Sequence, residues 1–292
     1  MAITKKTVWR VIRLFLFAVV AFVVIFGVGF WFMFDRALCE MEVNQAPRLS
    51  DSKEADAVKI MWVGNSLTFT HSIPAILKAF IESDRGVHRQ TKFWQVLVPS
   101  RRLEQHIEDG LVKRIVDNNG PFDYMVIQGA STEPIYDRKG LIYYGYQLAQ
   151  MAREHHEQPI LFQTYADQGQ ADNQAQVTKA YAELAEATGA PVVPVGETWF
   201  YAVGRNPKLD LWSSDHHHPG PEGSYLSACV FYCYMFGREP TGMPAKITAL
   251  NETRKRDITI VDLPQAKAEE LQRLAWEYYL AHRPAAPLPP AR

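Results

Sequence analysis

The sequence predicts a three-layer α/β domain built on a mainly parallel, five-stranded sheet. Short apolar runs alternate with longer amphipathic ones along most of the chain, no internal repeat interrupts them, and 47% of the 292 residues are hydrophobic, enough to bury a full core. Strand–helix alternation of this kind argues for parallel strands covered by helices on both faces, with ligands meeting the loops at the carboxyl ends of the strands.

Residues 1–13 carry Lys5, Lys6, Arg10 and Arg13 and precede the uncharged run "LFLFAVVAFVVIFGVGFWFMF" at 14–34. About 21 apolar residues at 1.5 Å each span roughly 31 Å, the thickness of a bilayer core, so one transmembrane helix is expected there. The basic residues before it place the N-terminus in the cytoplasm and export the chain beyond residue 35, giving a periplasmic or extracytoplasmic domain on a signal anchor. A cleaved signal peptide is the alternative, but the apolar run is too long and lacks a small-residue cleavage site.

Polar residues 35–56 form a tether, and 57–282 form the folded domain. Within it, strands are expected near 58–63, 93–98, 123–128, 159–163 and 191–195, and helices near 73–84, 102–118, 140–156, 170–188, 221–236 and 264–281. The Pro-rich stretch 283–292 is a tail without core potential.

Lys and Arg number 31 against 32 Asp and Glu, a net charge of -1, and no basic run is present to track a phosphate backbone, which argues against nucleic acid as a partner. The three cysteines, Cys39, Cys229 and Cys233, fit neither a disulfide framework nor a zinc site. Cys229 and Cys233 lie four apart on an expected helix, where they read as small hydrophobes.

Chemistry is sought at the strand ends. "GNSLT" delivers Ser66 directly after the first strand, and "SSDHHHPGPEG" comes after the last one, with Asp215 and His218 three apart just before a helix that opens near Pro221. Taken alone, Gly-Asn-Ser reads as a turn. Together, the two segments supply what acyl transfer by a serine requires: a hydroxyl, a base to take its proton and a carboxylate to orient the base. Histidines crowd "DHHHP" and "REHHEQ", yet adjacent side chains seldom converge on one ion, so no metal and no cofactor are expected. Tyr143, Tyr144, Tyr146, Trp199, Tyr201 and Trp212 read either as core or as the floor of a sugar cleft.

Through "GNSLT" and "DHHHP", residues 58–236 resemble the SGNH (GDSL-type) serine hydrolases, with Asn65 where that family has Asp. The resemblance implies a flavodoxin-like strand order, Ser66 as nucleophile, His218 as general base and Asp215 as its orienting carboxylate. It also implies oxyanion donors: the Ser66 N–H, a Gly after the second strand and an Asn after the third. Here "VPSRRLEQH" puts Ser100 or Arg101 at the second position and "VIQGAST" has no Asn at the third, leaving Gln128 or Ser131 as donor, or Gln128 as a buried amide capping a strand end. The resemblance implies a carboxylic-ester substrate; a small acyl ester or acylated glycan, with a short acyl group such as acetyl, suits a tethered enzyme facing outward. An O-acyltransferase using the same serine and a catalytically silent glycan-binding or assembly factor are the alternatives.

Overall fold

The structure, a computed structural model, describes residues 57–84, 86, 90–251, 256–284 and 288. The apolar run 14–34, the tether 35–56 and Cys39 lie outside these. Among the described residues no helix is long and apolar enough to cross a membrane.

Five parallel strands form the central sheet in the order β2-β1-β3-β4-β5: β1 Val58–Gly64, β2 Thr91–Leu97, β3 Tyr124–Ile127, β4 Gln158–Phe162 and β5 Val192–Val193. The order reverses at β1, whose two neighbours are β2 and β3, so a crevice is expected at its carboxyl end. Alternation along each strand sends side chains to both faces, and both are covered.

On one face Met61, Val63, Met125, Ile127 and Leu161 pack with Leu103, Val112, Leu141, Leu148, Tyr181 and Leu184. These last come from helices α3 Leu103–Glu108, α4 Leu111–Asn119, α6 Arg138–Glu154 and α7 Ala171–Thr188. A single helix is expected over 102–118, but the chain breaks at Gly110, which adopts φ 64 and restarts it as α4.

On the opposite face Phe231 meets the edges of Trp62 and Phe162 at ring-centroid distances of 5.1 and 5.0 Å. It belongs to α9 Pro221–Phe236, which is buried on almost every side and is flanked by α2 Ile73–Ser83 and α10 Gln265–His282. A helix that is apolar all round has to be a core helix. Cys229 and Cys233 lie within it as buried free thiols.

Sequence periodicity does not anticipate five elements. Helix α8 Val195–Arg205 forms despite two glycines because Trp199 is buried, stacked at 3.7 Å on Tyr165. A hairpin of β6 Lys246–Asn251 and β7 Arg256–Asp262 makes a separate two-stranded sheet. Short turns of helix, α1 Ser66–Phe69 and α5 Glu133–Tyr136, come after β1 and β3.

Candidate active site

The first strand ends at Gly64, where any Cβ would run into the Gln128 side chain, so only glycine fits. Asn65 then leaves the strand in an extended conformation, and its Oδ1 accepts the Leu67 N–H at 3.2 Å, capping α1. Ser66 is the first residue of that turn. Its N–H donates to no other group among the described residues.

The second half of the site is the loop 213–219. The Asp215 Oδ1 accepts the N–H groups of His217 (3.0 Å) and His218 (2.9 Å), while the Ser213 N–H donates to the His218 carbonyl at 2.7 Å. His216 takes the left-handed φ of 60, a cost that the surrounding bonds carry. Pro221 at the start of α9 fixes the exit from the loop.

These two loops bring Ser66, His218 and Asp215 into one line. His218 Nδ1 lies 2.6 Å from Asp215 Oδ2, and His218 Nε2 lies 2.9 Å from Ser66 Oγ. Because the carboxylate only accepts, Nδ1 carries a proton and Nε2 is left to accept the Ser66 hydroxyl. Partial burial by itself raises the Asp215 carboxyl; hydrogen bonds from the His218 ring and from the N–H groups of His217 and His218 outweigh it and hold it down to about 2. The carboxylate is therefore ionised wherever the imidazole needs it.

The expected oxyanion donors fare differently. Gln128 is fully buried and its amide is spent on the Ser66 loop. Its Oε1 accepts the Asn65 N–H at 2.8 Å and the Thr68 hydroxyl at 2.9 Å; its Nε2 donates to Asn65 Oδ1 at 3.0 Å and to the Gly129 carbonyl. Since the Asn65 N–H can only donate, the amide orientation is fixed, and both Nε2 hydrogens are taken. Gln128 thus has nothing left to offer an oxyanion, and of its two sequence readings the buried amide is the one that the geometry fits.

After the second strand the two candidates, Ser100 and Arg101, differ. The Arg101 N–H donates to the Val98 carbonyl, whereas the Ser100 N–H has no partner among the described residues. Ser100 adopts φ 57, the backbone conformation that glycine favours, at the position where glycine is expected. Two bonds stitch this loop to the Ser66 loop: Val98 N–H to the Gly64 carbonyl (3.1 Å) and Asn65 Nδ2 to the Arg101 carbonyl (3.1 Å). The second also explains Asn65, because an Asp there has no hydrogen to donate. Ser131 lies in a half-buried turn without a hydrogen bond to the Ser66 loop or to His218.

Sequence reasoning missed several residues around the site. His106 is buried and donates from Nε2 to the Gly64 carbonyl at 2.9 Å; burial drives its imidazole down to about 4, so it is neutral. Glu133 accepts the N–H groups of Ala130 (2.5 Å) and Leu103 (3.2 Å) beneath the loop after β3. The loop after β4 contributes Tyr165, Asp167 and Gln168. Burial, followed by the nearby Asp215 and Asp167 carboxylates, raises the Tyr165 phenol far above its ordinary value. None of these carries a local sequence signal, and each has at least one partner far away in the chain.

Trp199 and Trp212 belong to the core, 5.1 Å apart, whereas Tyr143 and Tyr146 are exposed on α6. Among the described residues no group of three or more His, Cys, Asp or Glu side chains is arranged to hold a metal ion. A cavity of about 280 Å³ lies beside edge strand β5, lined by Gln163, Glu197, Tyr234, Tyr278 and His282, and none of Ser66, His218 or Asp215 lines it.

No protein-family model matches the chain, and no curated protein matches it. Solved structures do share its fold. A protein from Slackia heliotrinireducens assigned to the SGNH hydrolases superposes with a TM-score of 0.52 at 21% identity, covering 60% of this chain and 97% of that one. A DUF4886 family protein from Bacteroides uniformis superposes with a TM-score of 0.58 at 16% identity, covering 80% of this chain and 98% of that one. The described domain therefore has the three-layer α/β fold of the SGNH hydrolases, with its five-stranded parallel sheet.

Proposed function

We propose that this protein is a serine esterase that cleaves carboxylic esters bearing a short acyl group, acetyl among them, through Ser66, His218 and Asp215. The observation that carries the reading is the unbroken relay Ser66 Oγ–His218 Nε2–His218 Nδ1–Asp215 Oδ2, at 2.9 and 2.6 Å.

Ser66 Oγ attacks the ester carbonyl while its proton passes to His218 Nε2, and Asp215 stabilises the imidazolium that forms. The tetrahedral oxyanion is met by the free N–H groups of Ser66 and Ser100. Collapse breaks the bond to the alcohol oxygen, which leaves with the proton from His218, and the acyl group stays on Ser66. Water then gives a proton to His218 and attacks the acyl carbon. The second collapse releases the acid, and Ser66 recovers its proton.

The uncharged run 14–34 behind a basic N-terminus supports an exported domain held at the membrane, facing acylated glycans outside the cell. Protease added outside spheroplasts should digest the chain beyond residue 36, and full protection would overturn this placement. The chemical reading is tested with a short aryl ester: the wild type turns it over and Ser66→Ala does not. A Ser66→Ala protein with the wild-type kcat would overturn it.

A further inference from the structure

The loop after β4 reaches across to the 212–218 segment and holds it by four bonds, three of them to His216 and His217. Asp167 Oδ1 lies 2.6 Å from His217 Nδ1, Gln168 Oε1 lies 2.6 Å from His216 Nδ1, the Gln168 N–H donates to the His216 carbonyl at 3.0 Å, and Trp212 Nε1 donates to the Ala166 carbonyl at 3.1 Å. Each of the consecutive imidazoles thus has its Nδ1 fixed by its own acceptor: His216 by Gln168, His217 by Asp167 and His218 by Asp215.

His217 stands out among them. Its ring meets that of His218 edge to face, with centroids 4.8 Å apart, and about a third of its side chain is exposed (35%). Its Nδ1 edge is turned to Asp167, so the Nε2 edge is the other one, and that nitrogen has no partner among the described residues.

We infer that His217, oriented by Asp167, reads a hydroxyl on the alcohol side of the ester, one carbon along from the ester oxygen, so that the preferred substrates are monoesters of vicinal diols, including sugars. This rests on the esterase reading above, in which His218 Nε2 serves the alcohol oxygen of the bond being broken. A hydroxyl on the adjacent carbon lies roughly 3 Å from that oxygen, so with each oxygen one hydrogen-bond length from its own ring the pair can bridge two imidazoles whose centroids are 4.8 Å apart. Nε2 accepts from such a hydroxyl when His217 is neutral and donates to it when His217 is protonated, so a hydroxyl satisfies either state. An alkyl group satisfies neither. The clamp pre-orders the ring, and little entropy is lost when the hydroxyl binds.

The test compares 2-hydroxyethyl acetate with ethyl acetate, which share an acyl group and differ by that hydroxyl alone, using the purified full chain. The wild type should favour the hydroxyethyl ester by about tenfold in kcat/KM, the scale of one hydrogen bond. His217→Phe keeps the ring beside His218 but loses Nε2 and should bring the ratio to about one, chiefly through KM. Asp167→Ala should lower the ratio in the same direction, because the ring loses its orientation. Equal rates on the two esters in the wild type, or an unchanged ratio in His217→Phe, would overturn the inference while leaving the esterase reading standing. Equal fractional losses on both esters in His217→Phe would make His217 structural and also overturn it. A wild type inert on both esters would remove the esterase reading, and this inference with it.

Discussion

The Ser66 hydroxyl lies 2.9 Å from Nε2 of His218, a residue 152 positions later in the chain. One comes from the end of β1 and the other from the loop entering α9, so the contact exists because β1 lies inside the sheet, between β2 and β3, and α9 packs against it. Both loops are fixed by their own hydrogen bonds, which argues for a site that is ordered before substrate arrives.

His218 and its neighbours can be told apart by mutation. His218→Ala should cost about 10⁴-fold or more in kcat on an aryl ester, since base and acid are lost together. His216→Ala leaves the relay in place and should cost no more than about tenfold, through the strained turn alone. Steady-state kinetics on the two proteins, with matched circular dichroism, checks this; a larger loss at His216 would move the base.

Gln128 should behave as a structural residue. Gln128→Glu removes the two hydrogens given to Asn65 and Gly129 and buries a charge, so unfolding free energy should fall by roughly 3 kcal/mol or more, with Ser66 reactivity falling alongside. Denaturant titration reads this directly. A Gln128→Glu protein of wild-type stability and reduced kcat would instead return Gln128 to the oxyanion hole.

Ser100 occupies a backbone conformation meant for glycine. Ser100→Gly should therefore gain on the order of 0.5–1 kcal/mol in stability and keep its kcat, because the N–H is retained. Ser100→Val, with a branched Cβ at φ 57, should lose both. Loss of activity in Ser100→Gly would show that the hydroxyl, and not the N–H, takes part.

Two buried groups outside the relay couple the stability of the fold to pH. His106 is held near 4 against an ordinary 6.5, so the unfolded chain gains its proton first, and stability should fall by about 3 kcal/mol as pH drops from 6.5 to 4. Burial holds the Glu157 carboxyl up at about 7 against 4.5, despite the bond from the Phe122 N–H, so the folded chain keeps its proton longer and stability should fall as pH rises from 4.5 to 7. His106→Gln should flatten the first slope and Glu157→Gln the second in chemical denaturation followed across pH. Slopes that survive these substitutions would assign them to other groups.

Much of this was legible in the sequence because it rests on periodicity and on spacing within one loop. The five strands come from apolar runs bounded by turns, and Asp215-x-x-His218 is a local pattern. What was not legible depends on partners far apart. The Gln128–Asn65 bond spans 63 positions and the Asp167–His217 bond 50, and neither glutamine nor aspartate announces such a role. Helix α8 was missed because its glycines lower helix propensity while the buried Trp199 decides the outcome. The β6–β7 hairpin was missed because its uncharged stretches, 247–251 and 258–261, are only five and four residues long and are bounded by charged residues.

The most direct measurement is labelling of the full chain with a serine-directed fluorophosphonate, read by intact-protein and peptide mass spectrometry. The expected result is a single adduct on the peptide carrying Ser66, absent in Ser66→Ala and strongly slowed in His218→Ala. No adduct on the folded wild-type protein, or an adduct that persists in Ser66→Ala, would contradict the assignment of Ser66 as the nucleophile.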